Sequence, residues 1–151
     1  MARRLPPFRS QWKTPMNVLI VYAHPERQSL NGALLDCAIG ALEEQGHTVR
    51  VSDLYAMRRK AAADRADFPD LAEGERLRVA SASARAFAAH DLTDDVRAEQ
   101  EKLVWADTVI LQFPLWWFTM PAILKGWVDR VYACGFAYGV GEHSDRRWGD
   151  R

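Results

Sequence analysis

Apolar residues along this chain fall into runs of different period, and those periods predict the architecture. Asn17–Tyr22 (NVLIVY) and residues 107–113 (DTVILQF) are almost continuously apolar and rich in β-branched side chains. Such runs read as strands buried on both faces of a parallel sheet. Between them, Leu34, Leu35, Ala38, Ala41 and Leu42 recur at helical spacing over residues 31–45. Asp36, Glu43 and Glu44 fall largely on the other side, and Gly46 is placed to end that helix. Residues 48–54 (TVRVSDL) instead alternate Val49 and Val51 with Arg50 and Ser52, as a half-exposed strand does. Strand, helix and strand make a βαβ unit whose crossover is right-handed.

Further along, Thr93 is placed to cap a helix running to about Ala106, with Val96, Leu103 and Val104 inward. Pro121 suits the first turn of another helix. There Ile123, Leu124, Trp127, Val128 and Val131 form one apolar face, Lys125 and Asp129 pair on the other, and Gly135 can end it. Residues 58–90, rich in Ala, Arg and Asp, read as a long and partly helical excursion within the same domain. The order β-α-β-(α)-β-α predicts an open α/β sheet with strand order 2-1-3. In that order the loops after the first and third strands flank one crevice.

Composition narrows the class. The 151 residues, 48% hydrophobic and 26% charged, suit one globular domain. Zero formal net charge argues against a dedicated nucleic-acid or membrane-surface binder, and no apolar run is long enough for a membrane span. Two cysteines, Cys37 and Cys134, make no disulfide framework, which points to a reducing cytoplasm. Residues 1–15, basic and proline-bearing, are expected to be an N-terminal tail or an over-long start before Met16, with the domain spanning 16–151.

The two crevice loops carry the candidate chemistry. AHPERQSLN lacks the glycine fingerprints of dinucleotide and P-loop sites, but sets His24, Arg27, Ser29 and Asn31 at a helix start. A helix N-terminus with added side-chain donors can hold phosphate. A capping serine and a satisfied histidine would explain the same residues. FPLWWFTM follows the apolar strand with Trp116, Trp117 and Phe118, which suit either a core or a wall for a flat ring. Phosphate on one loop and a planar ring on the other describe a flavin nucleotide. His24, His47, His90 and His143 lie too far apart in sequence to suggest a metal site, and no Ser or Cys nucleophile motif is present.

The segments LIVYAHPERQSLNGAL, VSDLYAM, AEQEKLVWADTVILQFPLWWFTMPAILKGWVDRV and GFAY together resemble the flavodoxin-like NAD(P)H:quinone oxidoreductases. The likeness runs from about Met16 to Tyr138, and P-L-x-W-F-x-x-P-A-I-L-K-G-W is its most specific part. It implies a flavodoxin-like open parallel sheet with helices on both faces and a homodimer. It also implies two-electron, ping-pong reduction of quinones by NAD(P)H through FAD, with FMN the less favoured flavin. By position, His24, Leu30 and Asn31 match residues that hold the flavin's phosphate and ribityl portion. Leu115, Trp116, Trp117 and Phe118 match the loop lining the isoalloxazine, and Ala137, Tyr138 and Gly139 match a segment that meets substrate across the dimer interface.

Two departures qualify the resemblance. Val140 stands where closer relatives of the animal enzymes carry a second tyrosine. After GFAYGVGEHSDRRWGDR the family continues with a fourth strand, a Gly-Gly loop and a Tyr and His for proton handling, and His143 matches none of these. The chain is therefore expected to be a truncated form lacking the last strands of the family fold. Residues 107–113 would then form an exposed edge. The alternative to an enzyme is a non-catalytic remnant or an accessory subunit of a related reductase.

Overall fold

The computed structural model describes residues 14–139. The expected tail therefore lies, up to residue 13, outside the described residues, as do Val140 and His143. Three strands, β1 (Asn17–Tyr22), β2 (Thr48–Asp53) and β3 (Thr108–Gln112), pair in parallel in the order β2-β1-β3. This is the 2-1-3 order expected from the sequence. Tyr22 lies opposite Asp53 on one side and Gln112 on the other, so all three strands end at one level.

The period-two geometry of β1 divides the core. Val18, Ile20 and Tyr22 pack against Leu35, Ala38, Ile39 and Leu42 of α1 (Leu30–Glu44). Leu19, Val21 and Ala23 face the opposite layer. That layer contains α2 (Val79–Ala88), α3 (Asp94–Trp105) and α4 (Ala122–Val131). Leu34 and Ala41, expected inside α1, are exposed, because the buried stripe turns through Ile39 instead. Val104 also points to solvent while Val96 and Leu103 are buried. Lys125 and Asp129 pair at 2.5 Å as their spacing predicted. Helix α4 ends at Val131, before Gly135, whose φ of 91° serves a later turn closed by the Gly135 N–H to Tyr138 carbonyl bond.

Strand β3 departs from its apolar sequence. It is only half-buried, and Leu111 is 39% exposed, because β3 is the sheet edge among the described residues.

Residues 54–78 contain a single 3-10 turn (Arg65–Asp67) before α2 begins, and polar chemistry holds them in place. Arg130 of α4, buried, donates to Asp67 at 2.8 Å, to Asp95 of α3 at 2.7 Å and to the Lys60 carbonyl at 3.1 Å. Arg59 joins through Asp95. Gly126 lets the segment touch α4: a Cβ there would sit 1.9 Å from the Ala61 carbonyl oxygen. Deeper still, Glu99 is fully buried between the Trp127 indole N–H at 2.9 Å and Lys102 at 2.7 Å. Lys102 also donates to Ser52 of β2, so one carboxylate joins α3, α4 and the sheet.

Partial burial raises the pKa of Asp95, but hydrogen bonds from Arg130 and Thr93, with the charges of Arg130 and Arg59, outweigh it and hold the value at about 2. A carboxyl depressed in the fold stabilises it above the unfolded pKa, near 4, and loses that contribution as pH falls through the folded value. Urea midpoints should therefore drop between about pH 4 and pH 2 more steeply in the wild type than in Asp95→Asn. Parallel curves would exclude this origin.

Candidate functional site

Two loops leave the carboxyl ends of β1 and β3 and meet. The first is folded tightly onto its own helix. Ser29 is the N-cap of α1, its Oγ accepting the Gly32 N–H at 3.2 Å. His24 Nδ1 lies 3.0 Å from the Glu26 N–H donor and 3.1 Å from Ser29 Oγ. The loop thus engages Nδ1, which leaves Nε2 for a ligand. Gly32 permits this packing, since a Cβ there would fall 1.9 Å from the Arg27 carbonyl oxygen. By helix geometry the N–H groups of Leu30 and Asn31 have no intrahelical acceptor.

Not every polar residue of this loop serves the crevice. The Arg27 guanidinium turns back to Asp36 at 2.5 Å and to the Gly32 carbonyl, with its charge 5.5 Å from the Tyr22 ring centroid. Ser29 is committed to the cap. His24 and Asn31 therefore remain as the side-chain donors of the loop.

The second loop is a small reverse turn. The Trp116 and Thr119 backbones exchange two hydrogen bonds, at 3.0 and 3.1 Å, which leaves Trp117 and Phe118 at the tip. Their φ values are 51° and 62°, the left-handed region that a two-residue turn of this hand requires. Such turns favour Asn-Gly, and left-handed backbone in a non-glycine residue costs on the order of 1 kcal/mol or more. Both rings project outward, Trp117 92% and Phe118 97% exposed. Leu115 and Leu30 are also mostly uncovered. Apolar rings held in solvent by a strained backbone are poorly explained as core, and a wall for a ligand explains them.

The loops touch at two places. The His24 and Trp116 rings approach to 6.2 Å between centroids at 58°. Gln112, the last residue of β3, donates from Nε2 to Asn31 Oδ1 at 2.8 Å, and its carbonyl accepts the Ala23 N–H. Sequence reasoning missed Gln112 and Gly32. A polar residue closing an apolar strand at its carboxyl end, and a glycine in a first helical turn, were the available signals.

Ala137, Tyr138 and Gly139 belong to the turn after α4, which the Gly135 N–H closes on the Tyr138 carbonyl. Tyr138 is 45% exposed, and burial with the nearby Cys134 raises its hydroxyl pKa. Among the described residues no cluster of three or more His, Cys, Asp or Glu could hold a metal ion, and no helix is long and apolar enough to cross a membrane.

An open parallel sheet with β1 central, helices on both faces and paired loops at the strand ends is the flavodoxin-like arrangement. A sequence model described as flavodoxin-like fold matches residues 16–150, and the chain belongs to that family. It is 65% identical over 136 residues to a ribosyldihydronicotinamide dehydrogenase-like protein of Penicillium crustosum, covering 90% of this chain and 51% of the relative. It is 46% identical over 121 residues to the rat NAD(P)H dehydrogenase (quinone) 1, covering 80% of this chain and 44% of that protein. Among solved structures, a candidate quinone reductase of Klebsiella pneumoniae superposes with a TM-score of 0.81 at 64% identity, over 90% of this chain and 52% of that one. The chain thus spans about half the length of these relatives.

Proposed function

We propose that this chain is the flavin-holding part of an NAD(P)H-dependent quinone reductase. The tip at Trp117 and Phe118 carries the reading: two bare rings on a strained backbone, in the loop whose Trp116 meets His24 beside a polar helix start. The donor set and the apolar set both suit a flavin nucleotide. His24, Asn31 and the first N–H groups of α1 hold its phosphate and ribityl portion, Leu30 adds an apolar contact, and Leu115, Trp116, Trp117 and Phe118 line its ring. A bound flavin supplies two-electron hydride chemistry between NAD(P)H and a quinone. The residues of the chain orient that ring and exclude water from one of its faces, while the His24–Trp116 contact holds the two loops in register.

FAD is the flavin proposed, with FMN less favoured. Ala137, Tyr138 and Gly139 meet substrate in a homodimer. Two free cysteines, Cys37 exposed and Cys134 buried, support a cytoplasmic setting.

A second reading, a non-catalytic remnant or accessory subunit, draws on the half-length match to the relatives. Fluorescence titration of the purified chain with FAD, followed by an NAD(P)H–quinone assay, separates the two. Binding and turnover support the reductase. The Trp117→Ala/Phe118→Ala double variant should then bind FAD about 10- to 100-fold more weakly, since each ring contact contributes on the order of 1 kcal/mol beyond area burial. A chain with no affinity for FAD and no activity leaves the accessory reading standing.

A further inference from the structure

The Asn31 amide has two unlike ends, a carbonyl that accepts and an NH2 that donates. Which end meets a ligand depends on what engages the other. Gln112 supplies that partner from a strand 81 residues away in sequence, its Nε2 donating to Asn31 Oδ1 at 2.8 Å. Its position is itself fixed, because its carbonyl accepts the Ala23 N–H at 2.9 Å and the parallel register sets it beside Tyr22. The carbonyl end of Asn31 is thus held by β3, and the NH2 end is left for the crevice. A donor at the N-terminus of α1 adds to the helix's own N–H groups in attracting an anionic oxygen. A carbonyl turned the same way would repel one.

We propose that Gln112 is a positioning residue: it selects the orientation of the Asn31 amide that donates to a phosphate oxygen of the bound nucleotide. The inference rests on the flavin reading above and assigns its phosphate recognition to a relay from β3. Gln112 makes no contact with the ligand. It acts through Asn31, and it couples phosphate binding on the first loop to the strand that carries the aromatic wall.

Gln112→Glu inverts the relay while keeping its shape. A carboxylate only accepts, so Asn31 must turn its NH2 toward residue 112 to retain the bond, and its carbonyl then faces the phosphate. Fluorescence titration of the 151-residue chain with FAD, FMN and riboflavin reads the outcome. FAD and FMN should bind about 10- to 100-fold more weakly to Gln112→Glu, the usual range for losing a hydrogen bond to a charged group. Riboflavin, which lacks phosphate, should change by less than about threefold on the same scale. In an Asn31→Ala background the Gln112→Glu effect should vanish. Gln112→Met, which frees the amide without reversing it, should show a smaller loss for FAD and covers the case in which the glutamate variant does not fold.

Unchanged FAD affinity in either Gln112 variant overturns the relay. So does an equal loss for riboflavin, which would mark a purely structural role. An undiminished glutamate effect without Asn31 would show that the new charge acts directly, and also overturns it. Wild-type chain that binds no flavin at all removes the flavin reading, and the relay with it. Wild-type binding with insensitive variants removes the relay alone.

Discussion

Trp127→Ala should lower the stability of this domain by about 5 kcal/mol, measured as the shift of the urea unfolding midpoint at constant slope. Trp127 is fully buried, the largest fully buried side chain among the described residues, and packs edge-on to Tyr132 at 5.6 Å between ring centroids. Truncating a buried tryptophan costs about 3–5 kcal/mol through lost transfer energy and the cavity left behind. Here the indole also donates to Glu99, whose side chain has no exposure. Losing that donor leaves Glu99 Oε2 desolvated and unpaired, which adds on the order of 1–3 kcal/mol. Since whole domains are stable by roughly 5–15 kcal/mol, this one change can leave the chain substantially unfolded. Trp127→Phe separates the two parts: it keeps most of the volume and should lose about 1–3 kcal/mol, the cost of the orphaned carboxylate. A phenylalanine variant as stable as the wild type would show that Glu99 relies on Lys102 alone.

The second large effect is functional. Gly32→Ala would place a methyl 1.9 Å from the Arg27 carbonyl oxygen, and that oxygen is backbone, so the His24–Ser29 loop must move. Overpacking of this kind costs about 1–3 kcal/mol. The larger loss falls on ligand binding, because His24, Ser29 and the start of α1 shift together. Displacements near 1 Å can cost about 100-fold, and FAD affinity should fall by about that factor. Gly40→Ala, on the same helix, is the control. A Cβ there meets nothing within 4 Å, so the fold should gain about 0.5–1 kcal/mol with FAD binding unchanged. If both glycine variants bind FAD alike, the first loop does not hold the nucleotide.

Periodicity made the three strands, their order and helices α1, α3 and α4 legible, because buried faces repeat with the period of the element that carries them. NVLIVY and DTVILQF read alike as buried strands, and it was the alternation of Val49 and Val51 with Arg50 and Ser52 that set TVRVSD at an edge. The segment from Leu54 to α2 was opaque for a physical reason. It is anchored by Arg130, Asp67 and Asp95 and by the Gly126–Ala61 approach, contacts between distant residues that leave no repeat in the sequence. The same limit applied at the crevice. Trp117 and Phe118 announced themselves as aromatic residues in a loop, but their left-handed backbone did not, since nothing in a Trp-Phe pair suggests a turn that favours Asn-Gly. Arg27 looked like a phosphate ligand, and only the structure shows its charge turned to Asp36. Val104 and Leu34 fitted an apolar stripe on paper and lie just off it in space.

The pairing of Tyr22 with Gln112 reaches beyond geometry. Both halves of the crevice exist only in a chain whose third strand has docked in that register, so a nucleotide held between them binds no earlier species. By mass action, such a ligand at 100 times its dissociation constant would favour the docked form by about 2.7 kcal/mol. A flavin nucleotide bound as proposed would then lower the population of undocked, protease-sensitive chain.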